Sequence, residues 1–77
     1  MAEELTQTHP LDAGWAALSR GEWERAKAVF EESLAESETP EAHEGIGAAA
    51  QMLNEDTLTF DARERAYRLY LQRGRRG

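Results

Sequence analysis

Cysteine is absent from the 77 residues, which removes thiolate nucleophiles, cysteine-based metal sites and any disulfide framework. Long apolar runs are absent too. The longest are a few residues, far short of the roughly 20 that cross a bilayer as a helix. Met1 to Pro10 lacks the basic start and apolar middle of a secretory leader, so the expected compartment is the cytoplasm. No phosphate loop, nucleophile elbow or carboxylate pair at a catalytic spacing occurs. His9 and His43, the two histidines, have no partners at a spacing that supplies three or four ligands. Glu41 and Glu44 flank His43 on a helix and read as a charged face turned to water. The expectation is a chain without catalysis, cofactor or metal.

What is present is charge, unevenly placed. The net charge is −6, yet residues 1 to 61 hold 14 acids and 3 bases while residues 62 to 77 hold 1 acid and 6 bases. An acidic body repels a phosphate backbone, which argues against the whole domain lying on nucleic acid. The basic end (Arg63, Arg65, Arg68, Arg73, Arg75, Arg76) lacks interleaved exposed aromatics. It is expected to support helix ends and acidic neighbours.

Self-similarity decides the fold. The stretch from Gly14 to Phe30 recurs in outline thirty-three places later, with Gly14 on Gly47, Gly21 on Asn54, Glu22 on Glu55 and Ala26 on Thr59. A period of that length marks a stacked helical repeat. Residues 1–10 read as a frayed leader, 11–73 as the folded domain and 74–77 as a basic tail. The first helix starts at Leu11, carries Leu11, Trp15 and Leu18, and closes at Gly21, which accepts the left-handed conformation. The second runs from Glu22 or Trp23 to Glu36 with a stripe of Trp23, Ala26, Val29 or Phe30, and Leu34.

Ser37 to Thr39 connects it to a third helix, signalled by a Thr39 cap with Pro40 at the first helical position and ended at Asn54. The fourth begins near Asp56 or Thr57 and ends at Gly74. It carries Phe60, Tyr67 and Leu71 on one stripe and Thr59, Ala62, Ala66 and Leu69 on another. The resulting expectation is all-α: two antiparallel helix hairpins, four helices, no strand. Small pairs, Gly14 with Ala26 and Gly47 with Thr59, would let the helices of each hairpin approach closely. Trp23 and Phe30 would fill the flanking gaps in the first hairpin, and Ile46, Phe60 and Tyr67 in the second.

Gly14, Gly21, Glu22, Trp23, Ala26 and Phe30, with proline at the repeat junction, resemble the tetratricopeptide repeat over roughly Leu11 to Arg73. The second repeat departs from the pattern, with Asp56 at an aromatic position and Arg63 at a large apolar one. A narrower likeness runs through Trp15–Trp23, Glu38–Ala42 and Ala62–Tyr70, which are similar to the amino-terminal region of actinobacterial LuxR-type transcriptional regulators. That resemblance implies the front regulatory part of a longer regulator whose DNA reader lies elsewhere.

The tetratricopeptide resemblance also implies a groove lined by the first helices of successive repeats. There Leu11, Trp15 and Leu18 would meet Glu44, Ala48, Gln51 and Met52 and bind a protein or peptide, with Trp15 as anchor. Two repeats are fewer than such folds usually need. Phe60, Tyr67, Tyr70 and Leu71 would stay partly bare on the last helix, predicting self-association as a homodimer, by face-to-face packing or by helix exchange across Ser37–Thr39. The acidic body and basic end favour an antiparallel, head-to-tail meeting. A nucleic-acid-associated factor using the arginines, and a fragment with no independent activity, are the alternatives.

Overall fold

The structure, a computed structural model, describes residues 9–75. Among the described residues it is all-α, with four helices: α1 (Pro10–Ser19), α2 (Trp23–Glu36), α3 (Pro40–Met52) and α4 (Asp56–Arg75). The described residues contain no strand. Both prolines occupy the first turn of a helix, where the missing N–H has no intrahelical partner to lose. Thr39 caps α3, its Oγ1 accepting from the Ala42 N–H at 3.2 Å. His9 caps α1, its Nδ1 accepting from the Leu11 N–H at 3.1 Å. Pro10 therefore belongs to the first helix and not to a leader; the rest of the expected leader, residues 1–8, lies outside the described residues.

The two hairpin turns are built alike. Gly21 (φ 79°) and Asn54 (φ 62°) take the left-handed conformation. Around them the bonds repeat in register: Glu22 N–H to Ala17 C=O at 3.0 Å and Glu55 N–H to Ala50 C=O at 2.9 Å, with Gly21 to Leu18 and Asn54 to Gln51 inside them. These are the paired bonds of a Schellman cap, which satisfy carbonyls that the helix end leaves open. The register fails at two places. α1 begins at Pro10 and α3 at Pro40, so the first helix lacks a turn that its counterpart has. The counterpart of Glu36, where α2 ends, is Leu69, yet α4 continues to Arg75. Gly74 thus lies within the helix, where nothing stands within 4 Å of a Cβ. It does not end the helix as its residue type suggests, and of the expected tail only residues 76 and 77 fall outside the described range.

Consecutive helices pack on one another, and α1 also touches α3. Contacts between α3 and α4 descend one helix as they climb the other: Gln51 with Arg63, Glu44 with Tyr70, Glu41 with Arg73. The core is made of small residues. Ala17, Ala26, Phe30, Ile46, Ala49 and Ala62 form it, with Leu11, Leu18, Leu34 and Leu58 packed around, and among the described residues Phe30 is the one large side chain that is fully buried. Its ring sits in a slot between two glycines. A Cβ on Gly14 would lie 2.6 Å from it, and one on Gly45 2.3 Å.

Packing gives Gly14 and Gly47 each a bulkier neighbour than the small pairs suggest. The atoms nearest an added Cβ on Gly14 would be ring carbons of Phe30, and on Gly47 those of the Arg63 side chain, its Cγ at 3.1 Å. In each hairpin the glycine makes room for a long side chain sixteen places on. Ala26 and Thr59 are buried, Thr59 with its hydroxyl donating to the Glu55 carbonyl of its own helix at 2.9 Å. Phe60 and Tyr67 fill no gap in the second hairpin, being 73% and 64% exposed. The aliphatic stem of Arg63 covers Gly47 in their place.

An open groove between α1, α3 and α4 as candidate functional site

Trp15 of α1, Glu44 and Ala48 of α3, and Arg63, Ala66, Tyr67 and Tyr70 of α4 line an open cavity of about 460 Å³. Each wall has a local cause. Trp15 stands edge to face on Phe30, ring centroids 5.0 Å apart, an arrangement that aromatic quadrupoles favour. Tyr70 lies on the stretch by which α4 outruns α2. Its hydroxyl donates to Glu44 Oε1 at 2.9 Å, and the Arg73 guanidinium sits 5.5 Å from its ring centroid. Arg73 makes a forked contact with Glu41, at 2.7 and 3.1 Å. Arg63 donates to Gln51 Oε1 at 2.6 Å. The surplus turns of α4 therefore clasp the start of α3, fixing one wall of the cavity.

The expected groove residues divide. Trp15, Glu44 and Ala48 meet at the cavity. Leu11 and Leu18 pack on the core, Gln51 holds Arg63, and Met52 stands 53% exposed at the end of α3. The last-helix set divides too: Tyr67 and Tyr70 line the cavity, while Phe60 and Leu71 remain exposed on α4. Arg63 and Ala66 are lining residues that groove reasoning missed. Their signal was present, since both occupy positions where the first repeat has buried side chains, Phe30 and Ser33.

His43 departs from the solvated face expected of it. It is 8% exposed, and Nε2 donates to Glu38 Oε2 at 2.8 Å, with Arg65 3.7 Å from the same oxygen. Glu41 and Glu44 are turned instead to Arg73 and Tyr70. Around His43 a smaller cavity of about 280 Å³ is walled by Leu34, Ile46, Leu58, Ala62 and the charged Glu31, Asp61 and Arg65. None of these residues carries a hydroxyl or thiol for the imidazole to activate. No group of three or more potential ligands is gathered for a metal among the described residues. No helix of the described residues is long and apolar enough to cross a membrane.

Three contacts set the response to pH. The Arg73 hydrogen bond lowers the Glu41 pKa. Burial, then the bond to Glu44, raises that of Tyr70, and the Glu55 bond at 2.8 Å raises that of Lys27. A lowered carboxyl stabilises the fold above its unfolded pKa and loses that contribution as pH falls through the folded value; the raised Tyr70 and Lys27 lose theirs as pH rises through their folded values. Stability is therefore expected to decline at both extremes, modestly, because these groups remain partly open to solvent. Arg73→Gln should melt below the wild type at neutral pH, and the gap should narrow as the solution is acidified through the pH at which Glu41 of the folded protein takes up its proton. A gap unchanged down to that pH would contradict the assignment.

Compared with known proteins, the chain matches no family model, no curated protein and no solved structure.

Proposed function

We propose that this chain is a non-enzymatic protein-interaction module of tetratricopeptide type, which receives a helical segment of a protein partner in the groove of Trp15, Tyr67 and Tyr70. The observation that carries this reading is the groove itself. Aromatic and small apolar walls supply contact area at low conformational cost, Glu44 and Arg63 add charge to the lining, and it opens widely to solvent where a reaction site would need enclosure. Self-association belongs to the same reading, with two molecules as the smallest assembly, since Phe60, Tyr67 and Leu71 leave apolar surface uncovered. In a longer chain the segment would serve as the front regulatory part of a LuxR-type regulator, a role supported by the likeness of Trp15–Trp23 and Ala62–Tyr70.

Direct nucleic-acid binding by this segment is the weaker reading. Tyr67 and Tyr70 do stand exposed among the arginines, contrary to expectation, but Arg68 and Arg73 are engaged by Glu64 and Glu41. The test is a titration with a library of amphipathic helical peptides, followed by the fluorescence of Trp15 and Trp23. Removing a central aromatic anchor typically costs about 2 kcal/mol or more, so Trp15→Ala should weaken binding on the order of thirtyfold. Equal affinity in that variant would move the contact away from the groove.

A further inference from the structure

The second repeat presents again the surface on which α3 rests. α3 meets the first repeat at Gly45, laid against the Phe30 ring. Ile46 and Ala49 share a core with Leu11, Phe30 and Leu34, and Ser33, one turn along α2 from Phe30, is buried as well. Thirty-three places on, Leu11, Trp15, Phe30, Ser33 and Leu34 become Glu44, Ala48, Arg63, Ala66 and Tyr67. All five line the open groove. The groove is the repeat image of a helix seat that is filled elsewhere in the same molecule.

We propose that α1 of a second molecule fills this seat, lying on α3 and α4 as α3 lies on α1 and α2, so that molecules join head to tail. The inference rests on the interaction-module reading and names its partner. Charge selects the occupant. In the filled seat a ring needs a glycine: Phe30 against Gly45. In the open seat Arg63 stands in place of Phe30, and the α1 residue in register with Gly45 is Asp12. The two departures from the repeat match, a cation facing a carboxylate where an aromatic faced a glycine. Asp12 is exposed, and the bond to Gln51 uses one of the five N–H groups of Arg63.

Two further residues of the incoming face are small: Ala13 and Ala16 are in register with Ile46 and Ala49, while His9 stands where α3 has Ala42. Ala16 thus brings a methyl group where α3 brings one, and helices approach closely only over such residues. Long-range charge agrees, because the meeting brings the acid-rich residues 1–61 of one molecule to the arginine-rich 62–77 of the next. Such an interface joins unlike surfaces and leaves a free seat at one end and a free α1 at the other. Assembly continues beyond two molecules instead of closing.

The experiment exchanges the charges in the full chain. In sedimentation velocity the wild type should show an average mass that climbs with concentration without levelling at two molecules. Asp12→Arg and Arg63→Asp, each helical by circular dichroism, should associate at least about tenfold more weakly, since each sets like charges face to face. An equimolar mixture should recover association, because both of its heterologous contacts pair opposite charges. A wild type that stays monomeric at high micromolar concentration, variants that associate as the wild type does, or a mixture that stays dissociated would each overturn the proposal. Peptide titration separates the two levels: Trp15-dependent binding that survives such a result leaves the interaction module standing and removes only its partner.

Discussion

Phe30→Ala is expected to leave the chain largely unfolded at 25 °C. The substitution removes the one large side chain that is fully buried among the described residues, and phenylalanine-to-alanine changes in cores cost about 3–5 kcal/mol. A chain of 77 residues has a stability on the order of 4–12 kcal/mol at ordinary per-residue values, with small domains at the lower end. The vacated slot lies between Gly14 and Gly45, neither of which has a side chain to collapse into it, so the upper part of the cost applies. Urea denaturation followed by far-ultraviolet circular dichroism measures the loss. Phe60→Ala, at a ring 73% exposed, should stay within about 0.5 kcal/mol of wild type. A Phe30→Ala loss below about 1 kcal/mol would mean that the alanine contacts carry the fold and the ring does not.

Gly45→Ala should destabilise the domain nearly as much, against the usual preference of helices for alanine. That preference is worth about 1 kcal/mol in favour of the substitution. Opposing it, the new methyl carbon would stand 2.3–2.5 Å from three carbons of the Phe30 ring. The ring cannot retreat, because Gly14 already approaches it from the other side at a spacing that would place a Cβ 2.6 Å away. Overpacking typically costs about 1–3 kcal/mol, and a ring pinned on both sides places this site at or above the top of that range, so the clash wins. The diagnostic is a double-mutant cycle. Gly45→Ala combined with Phe30→Leu should be less damaging than the sum of the two changes, with a coupling of about 1 kcal/mol or more. Strict additivity would show that the methyl group and the ring do not compete for the same space.

Punctuation was the legible part of the sequence. Gly21 and Asn54, Thr39-Pro40 and Asp56 mark turns and starts through local backbone requirements, and such requirements can be read from neighbouring residues alone. The two stripes of α4 were legible for the same reason, since helical periodicity separates Thr59, Ala62 and Ala66 from Phe60, Tyr67 and Leu71 without reference to any partner. Which residue fills which gap was not. Gly45 lies off the repeat correspondence that singled out Gly14 and Gly47, and its purpose appears only when Phe30 crosses from the neighbouring hairpin. His43 turned inward because Glu38, before the helix begins, reaches its Nε2, whereas spacing along the helix pointed to Glu41 and Glu44. Arg63 looked like a defect in the second repeat. Its aliphatic stem does the covering that an aromatic does in the first, while its head remains available at the groove.

One indole ties surface to interior. Trp15 leans on Phe30 with one part of its ring system and borders the groove with another, so a guest that steadies the indole also steadies the ring on which the folded state depends. Guest affinity and the free energy of folding are then coupled quantities, and saturation at one hundred times the dissociation constant would add about 2.7 kcal/mol to the latter. A chain with so slender an interior would gain much of its working lifetime from the company it keeps.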